Sequence, residues 1–118
     1  MPFVETFLFK NDEKKFEKIA KTITQDLCKT FKLNKSTITI YNNIIEKKNF
    51  FHNSILRNSE KRIFIKIFCL KRSKNLKKKL AFEIIKNIQK LLNIKNPDNI
   101  AIYFFDKPQF EIYHGKTK

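Results

Sequence analysis

The sequence predicts an α+β fold in which two βαβ units form a four-stranded mixed sheet with two helices on one face. The order strand, helix, strand occurs twice along the 118 residues. A shift of 61 residues superposes Phe3 on Phe64 and Ala20 on Ala81, which indicates an internal duplication. A chain of this length has enough apolar material for one compact core, so residues 1–118 are predicted to form a single domain.

The first unit spans residues 2–45. The apolar, Phe-rich run 2–9 is typical of a strand. The Asn-Asp pair at 11–12 offers side chains that cap helices. Apolar side chains then recur every three or four residues over about 13–32, which predicts an amphipathic helix. The apolar segment 38–45 predicts the second strand.

A polar linker, residues 46–61, leads to the second unit at 62–106. The segment 62–70 alternates Ile with Phe and Lys before it ends in Cys-Leu, and it predicts a strand. Ser73 is placed to cap a helix that runs to about Leu92. The second unit therefore repeats the plan of the first.

The Asn-Pro-Asp turn at 96–98 precedes the last predicted strand, 100–105, and 107–118 forms a short C-terminal segment. Right-handed crossovers place both helices on one face of the sheet. The strands are nevertheless apolar on both alternating sets of side chains. Because an apolar sheet face is seldom left in water, we expect an oligomer that buries the second face.

The formal net charge is +15, with 26 Lys+Arg against 11 Asp+Glu. Such a charge is typical of polyanion binders, but only three of the basic residues are Arg, the better reader of phosphates and bases. An abundance of Lys, Asn, Ile and Phe is also what an AT-rich genome produces. The charge therefore does not favour nucleic acid, although it would draw in small anionic substrates.

Other function classes find no support in the sequence. No apolar run approaches the roughly 20 residues of a membrane span, and no signal peptide is evident, so we expect a cytoplasmic protein without a membrane partner. Cys28 and Cys69 have no partner at metal-ligand spacing, which predicts reduced core residues and no metal or other cofactor. A single glycine excludes a glycine-rich phosphate loop.

Pro2 is the first candidate catalytic residue, because removal of Met1 would leave a free N-terminal proline. An α-amino group has a reference pKa of about 7.7–8.0. Partial burial beside Phe3, Val4 and Phe7 would lower that pKa further, since burial penalises the ammonium form. Pro2 is thus predicted to act as a general base at neutral pH. Many chains begin with Met-Pro, so this feature alone does not show that Pro2 is catalytic.

Four features together resemble the tautomerase superfamily: the initiating Met-Pro, the duplicated unit, Lys71-Arg72-Ser73 leading into Lys77, and the segment 96–100 before the last strand. Its members include 4-oxalocrotonate tautomerase, macrophage migration inhibitory factor, malonate semialdehyde decarboxylase and cis-3-chloroacrylic acid dehalogenase. The resemblance spans nearly the whole chain and implies a homotrimer. It also implies that Pro2 is the base and that Arg72 binds a substrate carboxylate.

The resemblance implies further pocket residues. Phe110 and Ile112 match the aromatic C-terminal segment that walls the pocket, and Tyr103 matches a substrate-binding position on the last strand. The first unit has Lys-Asn-Asp at 10–12 where 4-oxalocrotonate tautomerase has Gly-Arg-Ser. One arginine is therefore missing, and Lys10 and Lys71 are candidate replacements for its charge.

The predicted function is keto-enol tautomerisation of a small anionic 2-oxo or enol acid. Decarboxylation and dehalogenation receive less support, because Arg72 is the only arginine of the decarboxylase pattern and the decarboxylase aspartate falls near Thr37. Two alternatives remain open: a non-enzymatic basic module that binds a polyanion, and a catalytically inactive relative of the tautomerases.

Overall fold

The computed structural model describes residues 2–52, 54–56, 60–108, 113 and 115, apart from the side chains of Asn11, Ile55 and Leu56. Its strands are β1 Phe3–Phe9, β2 Thr39–Ile45, β3 Phe51–His52, β4 Ile55–Leu56, β5 Ile63–Leu70 and β6 Ile100–Lys107. Its two α-helices are α1 Phe16–Phe31 and α2 Lys74–Leu92.

The main sheet has the strand order β2-β1-β5-β6. Both outer pairs are parallel, with Phe3 opposite Thr39 and Ile63 opposite Ile100. The central pair, β1 and β5, is antiparallel, with Phe3 opposite Phe68. The predicted four-stranded mixed sheet is confirmed. Because the central pair is antiparallel, the two ends of the sheet are built alike, one from each unit.

Both helices cover one face of the sheet, as predicted. The core between the two layers consists of fully buried aliphatic side chains from both units: Val4, Leu8, Ile19, Ile23, Leu27, Ile63, Ile65, Ile67, Leu80, Ile84, Ile88 and Leu92. The helix side chains come every three or four residues and the strand side chains every second residue, which is the periodicity each element requires.

The start of α1 differs from the prediction. A 3-10 turn, Lys10–Lys15, precedes the helix, and Lys15 stands at the N-cap without a side-chain cap. Asp12 is buried instead, with a carboxylate oxygen 3.8 Å from Nζ of Lys61. A buried carboxylate needs a compensating charge. Asp12 therefore ties the first unit to the linker rather than capping the helix.

The second unit follows the prediction more closely. Ser73 caps α2, since its Oγ accepts the backbone N–H of Leu76 at 3.1 Å. The turn at 96–98 is a 3-10 turn, Pro97–Asn99, in which Oδ1 of Asn96 accepts the N–H of Asp98. The linker is more ordered than predicted, because it contains the small hairpin of β3 and β4.

The sheet face away from the helices, here called the outer face, carries rows of aromatic side chains. They are Phe3, Phe7, Tyr41, Phe64, Phe68, Tyr103 and Phe105. The Phe68 ring stacks on Phe3 and on Phe105, each at a centroid distance of 4.8 Å. Tyr41 and Tyr103 are more than half exposed. An aromatic patch of this extent is unusual on a monomer and is typical of an interaction surface.

Candidate active site

Pro2 is buried at the beginning of β1. Its carbonyl oxygen accepts the backbone N–H of Thr39 at 3.3 Å, which extends the parallel pairing of β1 with β2 by one residue. The next residue, Phe3, contacts the rings of Tyr41 and Phe68. The backbone at Pro2 is therefore fixed by the pairing of β1 with β2.

The sheet topology brings Arg72 to the same end. Because β5 runs antiparallel to β1, its last residues lie beside the start of β1. Arg72 follows β5 by two residues and precedes α2. The parallel strand β6 ends here too, with Asp106 opposite Cys69. We call this region the Pro2 end of the sheet.

The Arg72 guanidinium is held in place by two kinds of contact. Its Nη1 donates to the carbonyl oxygens of Leu70 at 3.1 Å and Lys71 at 3.3 Å. Its Cζ lies 5.0 Å from the centre of the Phe31 ring, at the end of α1. Among the described residues, Nη2 and Nε make no hydrogen bond. These donors are suited to a planar carboxylate.

Asp106 organises this end of the sheet. One of its oxygens accepts Nζ of Lys77 at 2.8 Å and the backbone N–H of Arg72 at 3.3 Å. The hydrogen bond from Lys77 is the main reason why the pKa of Asp106 lies below its ordinary value. Asp106 therefore fixes the backbone from which the Arg72 side chain extends.

Sequence reasoning missed Asp106 and misread Lys77. The run 77–79 reads as a solvated helix face, and Lys78 and Lys79 are indeed exposed. The Lys77 side chain is only 24 % exposed, and it pairs with Asp106 over the edge of the Phe104 ring. One feature of the sequence could have indicated this pair. Asp106 is an acidic residue near the end of the last strand, and Lys77 is a basic residue in the first turn of the second helix.

Cys69 lies close to the same end but does not have the properties of a nucleophile. It is buried, and burial raises the pKa of its thiol above the ordinary value, although Arg72 acts in the opposite direction. A neutral thiol is a poor nucleophile. The prediction that Cys69 is a core residue is confirmed, whereas Cys28, which is half-buried in α1, is not fully enclosed.

Of the other candidate residues that the structure describes, Lys71 lies at the Pro2 end and Tyr103 does not. Lys71 is exposed at the Pro2 end, and its backbone N–H pairs with the carbonyl of Lys107. Tyr103 lies on the outer face opposite Lys66, away from Pro2. Phe110 and Ile112 lie outside the described residues.

Two further classes of feature are absent from the described part of the chain. None of its helices is both long enough and apolar enough to pass through a lipid bilayer. No group of three or more His, Cys, Asp or Glu side chains within it is arranged to hold a metal ion.

No family model and no curated protein matches the sequence. Solved structures match it closely. A fused 4-OT described as an asymmetric trimer aligns with a TM-score of 0.84 over 96% of this chain and 92% of its own, at 16% identity. N1, a member of the cis-3-chloroacrylic acid dehalogenase family, gives 0.84 over 98% and 81%, at 12% identity. This chain has the tautomerase fold.

A malonate semialdehyde decarboxylase, FG41, inhibited by 3-bromopropiolate, gives a TM-score of 0.80 over 98% of this chain and 91% of its own, at 10% identity. The three proteins are described by different activities, although they share one backbone fold. The predicted tautomerase-like fold is therefore confirmed, and the reaction must be argued from the side chains of this chain.

Proposed function

We propose that this protein is a tautomerase that moves a proton between oxygen and carbon of a small anionic 2-oxo or enol acid. The base is the amine of Pro2 after removal of Met1, and Arg72 holds the substrate carboxylate. The observation that supports this proposal most strongly is the placement of buried Pro2 and of Arg72 at one end of one sheet. We also propose a cytoplasmic location, as the sequence predicts.

The proposed reaction needs a base and a stabiliser of negative charge. The lone pair of the Pro2 nitrogen accepts the hydroxyl proton of the enol, and the resulting ammonium returns a proton to carbon. In the anion between these steps, charge spreads over the conjugated acid. A guanidinium that binds the carboxylate through two N–H groups stabilises that charge. Every proton taken from oxygen is returned to carbon, so no co-reactant is required.

The net charge favours this class of substrate. A formal charge of +15 attracts small anions to the whole surface. At the Pro2 end, Asp106 neutralises Lys77, and the partly exposed Arg72 and the exposed Lys71 are among the positive groups there. We propose that Lys71 replaces part of the charge of the arginine missing from the first unit. Lys71 is a weaker partner, because an ammonium cannot bind a carboxylate in a bidentate manner.

We also propose a homotrimer, in which the outer faces of three chains are buried against one another. The exposed aromatic rows supply the apolar surface, and the fused 4-OT structures with this fold are described as trimers. In such an assembly, Tyr103 of one chain is available to the Pro2 end of the next. Phe110 and Ile112 are proposed to wall the same pocket.

The trimer is tested by light scattering on two matched variants. Phe68→Glu places a charge in the middle of the stacked aromatic row, and it should give monomers or a strongly weakened assembly. Phe82→Glu is the control, because Phe82 is 69% exposed on α2 and lies on the helix layer. A trimer that survives Phe68→Glu, or an unaltered protein that is monomeric, would contradict the proposed assembly.

The function is tested on one purified sample. Intact mass establishes whether Met1 is removed, and ketonisation of 2-hydroxymuconate and of phenylpyruvate enol measures turnover. Replacing the base, Pro2→Ala, should lower kcat by about 10²- to 10⁴-fold, the usual contribution of a general base. Pro97→Ala is the matched control, since Pro97 is an exposed proline in a surface turn at the other end of the sheet.

Retained Met1 would contradict the proposal, because an acylated proline nitrogen has no basic lone pair. A processed protein without turnover would also contradict it, and would favour the inactive relative or the basic binding module. The binding module predicts an affinity for nucleic acid that falls steeply with salt, as neutralised phosphates release counterions.

A further inference from the structure

A cavity of about 460 Å³ lies at the opposite end of the sheet from Pro2. It is bounded by the end of β1 and the start of β5, where Phe7 and Phe64 are neighbours, and by the small hairpin and the turn Pro97–Asn99. Its lining is mostly apolar. Cavities of this size that combine an apolar lining with a few polar groups are typical of small-molecule sites.

The duplication makes this cavity the counterpart of the Pro2 end. The 61-residue shift that superposes Phe3 on Phe64 places Ile63 at the position of Pro2. The start of β5 lies beside the end of β1 just as the start of β1 lies beside the end of β5. The cavity therefore has the backbone framework of the candidate active site, with an isoleucine in place of the proposed base.

Arg62 supplies the cavity with a cation that is incompletely paired. Its guanidinium lies 5.1 Å from the centre of the Phe50 ring, and one nitrogen is 3.7 Å from a carboxylate oxygen of Glu60. That same oxygen accepts a shorter hydrogen bond from Asn99 at 2.8 Å. The Nε of Arg62 is buried and has no hydrogen-bond partner in the described part of the chain.

An unsatisfied buried N–H group of a charged side chain is unfavourable and calls for a partner. A carboxylate in the cavity would provide it, while its apolar body would contact Phe7, Phe64 and Tyr103. One lining residue acts against an anion, because Asp98 carries a negative charge at the rim. His52 adds an imidazole ring to the lining.

The geometry points to a second ligand site in this cavity, which binds a small carboxylic acid with an apolar or aromatic body through Arg62 and does not turn it over. It is separate from the proposed chemistry at Pro2, because Arg62 and Ile63 lie at the opposite end of the sheet from Pro2 and Arg72. Ile63 offers no amine, so a bound acid meets a cation and an apolar wall but no base.

The probe is benzoate, and the readout is the backbone amide resonances of the unaltered protein in its native assembly. Benzoate is expected to shift the resonances of Ile63, Asn99 and Ala101, which surround the cavity. Benzamide, which has the same shape without the charge, should leave them unchanged. Resonances around Arg72 report separately on any binding at the Pro2 end.

Two variants are expected to change the affinity in opposite directions, and a third is the control. Arg62→Gln should weaken benzoate binding in the cavity by about tenfold or more, because a charge-assisted hydrogen bond is lost. Asp98→Asn should strengthen it by about two- to fivefold, since a like charge at the rim is removed. Lys79→Gln removes an exposed positive charge on α2 and should leave the affinity unchanged.

Strengthening by Asp98→Asn cannot result from misfolding, so it separates binding from damage to the fold. The proposal is overturned if benzoate shifts only the Pro2 end, if benzamide shifts the cavity resonances equally, or if Arg62→Gln binds as the unaltered protein does. It is also overturned if cavity resonances respond only after Phe68→Glu has dissociated the assembly. That result would mean that a neighbouring chain fills the cavity in the intact assembly. None of these outcomes depends on whether Pro2 is catalytic.

Discussion

The two ends of the sheet share one backbone plan and differ in the residue found where a central strand starts, which is Pro2 just before β1 and Ile63 in β5. At one end β1 follows Pro2, and the nearby Arg72 leaves Nη2 and Nε without partners among the described residues. At the other end β5 begins with Ile63, and Arg62 is partly engaged by Glu60 beside an apolar cavity. The backbone framework thus occurs twice, and we propose proton transfer only at the end that carries Pro2.

The largest effect is expected when each of the two arginines is replaced in turn and turnover is measured. Arg72→Gln should lower kcat/KM for 2-hydroxymuconate by about ten- to a hundredfold, because the carboxylate loses a charge-assisted bidentate contact. Arg62→Gln should leave kcat/KM within about twofold, since it lies at the other end of the sheet. Equal losses in both variants would remove the functional distinction between the ends.

The next largest effect concerns the ion pair that organises the Pro2 end. Asp106→Asn should lower the free energy of unfolding at pH 7 by about 1.5 kcal/mol, the lower end of the usual range for a hydrogen bond to a charged group, because the pair is partly exposed. The far end has no counterpart of this pair, because the 61-residue shift places Ile45 at the position of Asp106. Urea unfolding of the two proteins measures the difference.

The difference in stability between the unaltered protein and Asp106→Asn should depend on pH in the direction set by the lowered pKa of Asp106. Asp106 has a pKa below its ordinary value in the folded state, so its stabilisation is complete above the ordinary value near pH 4. It should decline as the pH falls through the lowered folded value. A difference between the two proteins that grows on acidification would contradict the role of Asp106 as an ionised partner of Lys77.

The smallest effect tests the same duplication in the helix layer. Asp26 and Asn87 are related by the 61-residue shift, and Nδ2 of Asn87 donates to both carboxylate oxygens of Asp26 at 3.0 Å. Burial raises the pKa of Asp26, so its charged form is disfavoured in the folded protein. Asp26→Asn keeps an acceptor for Asn87 and should stabilise the protein at pH 7 by at most about 1 kcal/mol.

This gain should shrink as the pH falls through the raised pKa toward pH 4, because Asp26 then becomes neutral in both states. Thermal or urea unfolding at several pH values measures it. A variant that is markedly less stable at pH 7 would show that the carboxylate is needed in its charged form, and that the asymmetry between Asp26 and Asn87 is a stabilising one.

Sequence reasoning reached the fold because periodicity and duplication are properties of the chain itself. The strand starting at 62 and the helix capped by Ser73 lie within a residue or two of the predicted positions. It placed Asp12 at a helix cap, whereas that side chain is buried near Lys61, 49 positions further along the chain. Contacts of this kind depend on tertiary packing and leave no local pattern.

The site was less accessible from sequence for the same reason. Pro2 and Arg72 could be proposed as site residues from the sequence because their residue types and positions carry a chemical meaning. Asp106 was not found, because its role comes from the register that brings the end of β6 beside α2. The far cavity was also missed, since it arises from the hairpin in a segment predicted to be a linker.

The central claim is that the Pro2 nitrogen is a free, basic amine at neutral pH. The most direct measurement is a pH titration of the ¹⁵N resonance of Pro2 in protein labelled at proline, compared with the pH dependence of kcat/KM on 2-hydroxymuconate. We predict a pKa below the reference range of about 7.7–8.0 that coincides with the rising limb of the rate profile. A Pro2 nitrogen that does not titrate, or one whose titration is unrelated to the rate, would contradict the claim.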